Sequence, residues 1–407
     1  MAWTLYDFAN SAFVAVIPAT VYSTYYALAV VGNEHGEGDF WWGLAVTTSM
    51  IVVALSSPPL GAIADHGGLR KRFLFALTYL SVAATALMAT VRPGHVVWGW
   101  LLAVVGTVGF EAAIVYYNAY LSDLAPPERQ GRLSGYGFAI GYLGSAVALG
   151  AALPFALRGN YAGTFLVTAA LFGVCAVPAF LFLPPDRPVS VPIGQTIGTA
   201  FTATRATLRG ILGMPTLRRF LLAYLFFEDG INTVVYFSSV FAGHTLRFTT
   251  PEVIQLYFVV QLAALVGAWA WARPTDVRGP KFVVMVTLVQ WCVVVAAAYF
   301  VETKTQFFAV AVVAGTALGA VQAAARAFMA ALIPPGREAE LFGFYALCGK
   351  TAAIFGPLVF GLASRLTGGN QRVAIVCVGL FFVIGLALIR GVDAGGPVEP
   401  RTLRGAA

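Results

Sequence analysis

Charge is scarce in this chain. Only 11% of its 407 residues are Asp, Glu, Lys or Arg, 59% are hydrophobic, and the mean hydropathy is +0.80. Soluble domains carry about 25% charged residues, so a water-soluble fold is excluded. Cysteine and histidine are scarce too. Cys175, Cys292, Cys348 and Cys377 sit singly in apolar segments without a CxxC spacing, and the four histidines are scattered. Disulfides, thiolate sites and His-rich metal sites are therefore not expected, and no cofactor is implied. There is no Gly-x4-Gly-Lys-Ser/Thr loop, no Gly-x-Ser-x-Gly elbow and no His pair. These absences count against ATP-driven chemistry and against a multipass membrane enzyme. The alternating ten-residue segments of a membrane barrel are also missing.

Long apolar runs are present instead. A hydrocarbon core of roughly 30 Å takes about 20 apolar residues per helix. Twelve segments meet that length: 4–31, 41–64, 73–91, 96–122, 133–156, 161–183, 219–243, 253–272, 281–301, 306–333, 341–364 and 372–390. The first contains Asp7 and lacks a basic leader, so it reads as a helix rather than a cleavable signal. The expected class is an all-α membrane protein with twelve transmembrane helices.

The chain also repeats itself. Residues 125–143 and 333–351 align without a gap at an offset of 208, matching Pro126-Pro127 to Pro334-Pro335, Gly135 to Gly343 and Gly141 to Gly349. Asp7-x-x-Asn10-Ser11 returns as Asp229-x-x-Asn232-Thr233, and Asp65-x-x-Gly68-x-Arg70 returns as Asp276-x-x-Gly279-x-Lys281. A parallel duplication in so apolar a chain points to a two-halved transporter. The expected divisions are a six-helix half over 1–183, a linker over 184–217, a second six-helix half over 218–390, and a tail over 391–407. In the linker, Ile197, Phe201, Leu208 and Ile211 keep helical spacing while Arg205 and Arg209 point elsewhere. That pattern suits either an amphipathic helix on the inner leaflet or a plain tether.

With both termini placed in the cytoplasm, 17 of the 25 cations fall on the cytoplasmic side and six outside, leaving Arg326 and Lys350 within helices. The net charge of +7 then reflects topology and anionic lipid rather than nucleic acid.

Ionisable groups inside a bilayer cost a few kcal/mol each, so they must face a shared interior. The first helix offers Asp7 and Asn10, the fourth Glu111, Tyr117 and Asn118, and the seventh Glu228, Asp229 and Asn232. The tenth offers Gln322 and Arg326, and the eleventh Tyr345 and Lys350. All of these except Glu228 form the candidate substrate-binding set. Asp7 and Asp229 are duplicated by the repeat, so a structural or hinge task stands beside a binding one. Glu111 and Arg326 are not duplicated; their counterparts are Gly319 and Asn118. Arg326 presents a planar fork for a carboxylate or phosphate. Glu111 is a candidate for holding a substrate amine, for pairing with Arg326 in an empty site, or for carrying a proton. Asp7 and Asp229 are the other proton-coupling candidates. Lys350 is read as a second anion contact or as a partner to Asp229. Gly135, Gly137, Gly141, Gly144, Gly343, Gly349 and Gly356 permit close helix packing.

The stretch Gly61-Ala-Ile-Ala-Asp65-His-Gly-Gly68-Leu-Arg70-Lys-Arg72 resembles the cytoplasmic loop motif of the major facilitator superfamily, with Leu69 where a basic residue is usual. The resemblance implies that Asp65 and Arg70, with Asp123 at the inner end of the fourth helix, latch the halves in one access state. Gly61, Gly68, Asp276 and Lys281 complete the expected gating set. Within the superfamily, Leu5-Tyr-Asp-Phe-Ala-Asn-Ser-Ala-Phe13 resembles the opening of the vacuolar amino-acid effluxer-like, autophagy-related family and its bacterial relatives. Tyr117-Asn118-Ala119, Glu228-Asp-Gly-Ile-Asn-Thr233, Gln322 through Arg326, and Phe342-Gly-Phe-Tyr345 with Gly349-Lys350 carry the same resemblance. Ala327 departs from the family, which often has Ser there. The resemblance implies export of small solutes, foremost amino acids, with proton coupling open, and the chain is expected to be a monomer in a prokaryotic cytoplasmic membrane. An exporter of amphiphilic or lipid-like compounds is the alternative.

Overall fold

A computed structural model describes residues 1–32, 37–186, 204–244, 246–248, 250–352, 355–367 and 371–393. All regular structure among the described residues is helical. The helices that follow the apolar segments are α1 (Ala2–Val31), α2 (Glu37–Gly67), α3 (Arg70–Leu87), α4 (Val96–Leu124), α5 (Pro127–Leu157) and α6 (Tyr161–Phe182). The second repeat contributes α7 (Pro215–His244), α8 (Thr250–Arg278), α9 (Pro280–Phe300), α10 (Lys304–Leu332), α11 (Glu338–Thr351 and Phe355–Leu366) and α12 (Gln371–Arg390). Ten described helices are long and apolar enough to cross a membrane, and an eleventh qualifies if Thr204–Gly213 and Pro215–Val235, bent by 100°, count as one span. Leu55, Val174, Leu181, Trp269 and Phe300 lie exposed, as lipid-facing side chains of a multipass membrane protein must.

Two helices expected to be continuous are broken. α1 runs from Ala2 to Val16, breaks at Pro18, and resumes as Val21–Tyr25 and a wider π-helical turn over Tyr26–Val31. Proline has no N–H to give the preceding turn and its ring crowds that turn, so the ladder is interrupted there. The expected span 341–364 is divided into the two pieces of α11. Gly356 and Pro357 stand in the first turn of the second piece, where a missing backbone donor costs little. In the linker, Ile197 and Phe201 lie outside the described residues. Thr204–Gly213 is a short helix with Ile211 buried and Leu208, Arg205 and Arg209 exposed.

The two repeats meet along two matching seams, α2 against α11 and α5 against α8. Small residues make both possible. A Cβ on Gly343 would stand 2.6 Å from the Ser57 carbonyl oxygen, and one on Gly135 would stand 2.8 Å from that of Ala268. The repeat relates these two glycines. Within the first repeat, Gly144 lets α5 approach the backbone of α1 at Phe8.

Gly343→Val should therefore force α11 off α2. Overpacking of this kind costs about 1–3 kcal/mol, so the thermal unfolding midpoint in detergent should fall. An unchanged midpoint would mean that the seam yields freely.

Candidate functional site

At one end of each seam, an aspartate that terminates a helix reaches across to the other repeat. Asp65, near the end of α2, accepts the backbone N–H groups of Ala339 at 3.1 Å and Glu340 at 2.9 Å. These belong to the first turn of α11, whose N–H groups have no partner within the helix and whose dipole favours an anion. Gly68 turns the chain with φ +60°, and Arg70 then points back. Its Nε donates to Asp65 at 2.6 Å, its Nη1 to Asp123 at 3.0 Å, and its Nη2 to Glu338. Gly61 keeps the approach close, since a Cβ there would lie 2.4 Å from the Ala339 carbonyl oxygen. Asp276, at the end of α8, repeats the arrangement by accepting the backbone N–H of Arg132 at 3.0 Å and its Nε at 2.8 Å. Lys281 corrects the expectation. Its Nζ donates to the carbonyls of Arg390 and Val392 at 2.9 and 2.7 Å, so it caps the C-terminus of α12 and takes no part in the contact at Asp276. An ammonium suits a cluster of free carbonyls at a helix end better than the planar fork of arginine does.

Deeper in, Arg326 of α10 crosses into the first repeat. Both Nη atoms donate to Asp7 Oδ2, at 3.3 and 3.2 Å, and Tyr117 Oη donates to the same oxygen at 2.7 Å. Nε donates to Ser134 Oγ at 2.9 Å, and Nη2 to the Ser134 carbonyl at 2.8 Å. Asn118 Oδ1 accepts a longer bond at 3.5 Å. Trp3 and Phe138 cover the guanidinium, with ring centroids 4.8 and 4.2 Å from its carbon. The side chains of Arg326 and Asp7 are 4% and 9% exposed, so the pair is sealed. Gly137 makes room for it: a Cβ there would fall 2.3 Å from Asp7 Oδ2.

Lys350 of α11 pairs with Glu111 of α4, Nζ to Oε1 at 2.6 Å, again across the repeats. Here the side chains are 25% and 16% exposed. Two of the pairings that the sequence left open are therefore excluded. Glu111 does not meet Arg326, because Asp7 and Ser134 already hold that guanidinium. Lys350 does not meet Asp229, whose two carboxylate oxygens both accept the Gly356 N–H at 2.9 Å. Asp229 thus caps the second piece of α11, where the broken helix exposes its first N–H groups.

The remaining candidates scatter. Gln322 Nε2 donates to Glu228 Oε1 at 3.5 Å. Tyr345 stacks on Tyr224 with centroids 4.0 Å apart and fills the contact between α7 and α11. Asn10 is buried and accepts from Ser11 Oγ at 3.4 Å. Asn232 is half-buried and joins neither ion pair. Sequence reasoning missed Trp3, Ser134, Phe138, Arg132 and Glu338 as contributors. Trp3 precedes Asp7 by one helical turn, and the repeat aligns Arg132 with Glu340 and Ser134 with Phe342. Those signals were readable, but serine and phenylalanine carry no chemical flag of their own in an apolar helix.

Asp7→Ala should leave the Arg326 charge buried and unpaired, which costs about 3–5 kcal/mol. Asp7→Ala combined with Arg326→Met should recover much of that loss. A double-mutant cycle by thermal unfolding in detergent checks this, and additive losses would show that the two groups do not interact.

Residues 43–130 and 125–396 match the family described as "Vacuole effluxer Atg22 like". A Bacillus subtilis protein described as the uncharacterized MFS-type transporter YxiO is 30% identical over 401 residues, covering 95% of this chain and 93% of its own. Autophagy-related protein 22-1 of Aspergillus niger is 23% identical, covering 92% of this chain and 76% of its own. Among solved structures, the human organic anion transporter MFSD10 (TETRAN) superposes with a TM-score of 0.75 at 17% identity, covering 95% of this chain and 97% of its own. The major facilitator FucP in its outward conformation gives 0.73 at 13%, covering 96% and 97%. These two show the fold. With the family match spanning most of the sequence, the chain belongs to the Atg22-like family of major facilitator superfamily transporters.

Proposed function

We propose that this chain is a secondary carrier that moves an amino-acid-like zwitterion by alternating access, with export as its direction. The carrying observation is the pair of cross-repeat ion pairs at two levels of burial: Asp7–Arg326, sealed, and Glu111–Lys350, partly open. A zwitterion brings one ammonium and one carboxylate. It can replace the open pair group for group, with its ammonium on Glu111 and its carboxylate on Lys350, so that no charge in the interior is left bare. The sealed pair then acts as the floor of the cavity, with Tyr117 holding Asp7 and Asn118 holding Arg326 in place. Gln322, Asn232 and Tyr345 belong to the surrounding wall.

In this reading α1 to α12 all cross the membrane as six-helix halves over 1–183 and 218–390, joined by the linker 184–217 and followed by the tail 391–407. Both termini face the cytoplasm. The cation bias supports that orientation, and it puts the Asp65 and Asp276 contacts on the cytoplasmic side as latches. The structure is then the state shut toward the cytoplasm. The family description as an effluxer supports export. The protein works as a monomer in the cytoplasmic membrane of a prokaryote, in keeping with its similarity to the B. subtilis protein.

The test is counterflow in proteoliposomes preloaded with alanine, leucine, lysine or glutamate, using the labelled form of each. Exchange of a neutral amino acid is expected. Glu111→Gln and Lys350→Gln should each slow it by about tenfold or more, the worth of one charge-assisted hydrogen bond, while the purified variants remain folded. Exchange undiminished in both variants, or movement of a lysolipid and of no amino acid, would overturn the reading.

A further inference from the structure

We infer that Glu228 carries the proton that the carrier exchanges for its solute, and that Lys350 is the switch, moving between Glu111 and Glu228. This rests on the carrier reading above. Glu228 of α7 has a single hydrogen bond among the described residues, from Gln322 at 3.5 Å, and no salt bridge. It is half-buried in the middle of a helix, between Phe227, whose ring meets Tyr224 edge-on, and the capping Asp229. A bare carboxylate there costs several kcal/mol, and a bound proton removes that cost.

The surroundings offer one other means of neutralising it. Gln322 on α10 donates to Glu228, and the titratable groups whose charge bears on it are Tyr224 on its own helix, Tyr142 on α5, and Tyr345 and Lys350 on α11. Lys350 is the single cation among them, and it is bound to Glu111. Glu111 holds that ammonium, and Glu228 has no cation bound to it among the described residues. Arg326 does not balance the sum, because Asp7 already neutralises it.

The placement of these groups in the repeats turns that imbalance into a cycle. Glu111 belongs to the first repeat, whereas Glu228, Gln322 and Lys350 all belong to the second. Lys350 therefore has one partner that withdraws when the halves part and another that travels with it. When a solute ammonium docks on Glu111, it displaces Lys350 toward Glu228, and the three donors of the lysine ammonium span the solute carboxylate and Glu228. The O–H bond of the Glu228 carboxyl then breaks, its proton passes to cavity water, and the carboxylate formed pairs with Lys350. When the solute leaves, Lys350 returns to Glu111 and Glu228 takes a proton from water. Solute and proton thus exclude one another, which is the logic of antiport, and an inward proton gradient would drive export. Asp229, the neighbouring carboxylate, is excluded from this role because its oxygens are held by the Gly356 N–H.

Two measurements test the proposal on the full-length protein. The first is infrared difference spectroscopy at neutral pH, which reads the carbonyl stretch of a protonated carboxylic acid without any solute. Wild type and Glu228→Asp should show that band, and Glu228→Gln should lose it. The second loads acid-inside proteoliposomes and follows labelled alanine and leucine. Wild type should concentrate one of them inside. Glu228→Gln should only equilibrate it, and Glu228→Asp should restore accumulation at a lower rate. Persistence of the carboxylic acid band in Glu228→Gln, or continued gradient-driven accumulation by that variant, would overturn the proposal. If wild type moves neither amino acid, the substrate reading fails by itself, and the infrared band still decides whether Glu228 holds the proton.

Discussion

Arg326 places a guanidinium inside an apolar helix bundle, and hydrocarbon offers nothing to solvate its charge. Everything around it in this structure answers that constraint. Among the described residues its own repeat supplies no carboxylate for it, so neutralisation comes from Asp7, on the first helix of the other repeat. Ser134 holds two further donors, Trp3 and Phe138 cover the faces of the fork, and Gly137 clears the volume. A charge satisfied only across an interface ties the energy of that charge to the closure of that interface. The closed state and the neutral interior are therefore one condition.

The duplication shows how a symmetric scaffold acquires an asymmetric interior. Asp65 and Asp276 still do nearly the same thing, each binding the N-terminal part of a helix in the opposite repeat. Asp7 and Asp229 do not. One neutralises an arginine across the repeats, and the other caps a broken helix within its own. The divergence follows from what faces each position: Arg326 has Asn118 as its counterpart, and Lys350 has Tyr142. Each cation stands opposite a neutral counterpart in the other repeat, and each is neutralised by a carboxylate across the repeats.

Much of this was legible before any coordinates. Apolar length located the helices because the hydrocarbon thickness sets a length that composition reports directly. The repeat located the seams, since Gly135 and Gly343 occupy equivalent places. The polar residues that matter were recognisable by type, as any Asp, Glu, Lys or Arg in such helices stands out. Their pairing was not legible. Glu111 could have reached Arg326 by face and depth, but rotation and tilt of α4, α10 and α11 bring it to Lys350. Those quantities depend on packing summed over many side chains. The break in α1 at Pro18 was available from local chemistry. The role of Lys281 was hidden, because its partners are backbone carbonyls that leave no mark in a sequence.

On the proposed mechanism the Asp7–Arg326 pair holds the face that carries Asp65 and Asp276 shut. Spin labels at Arg129→Cys and Val277→Cys, both exposed and on opposite repeats at that face, report its width by pulsed electron resonance. With the four native cysteines replaced by alanine, one short distance is expected, and a second, longer population once Asp7→Asn removes the charge opposite Arg326. A distance distribution identical in the two backgrounds would contradict it.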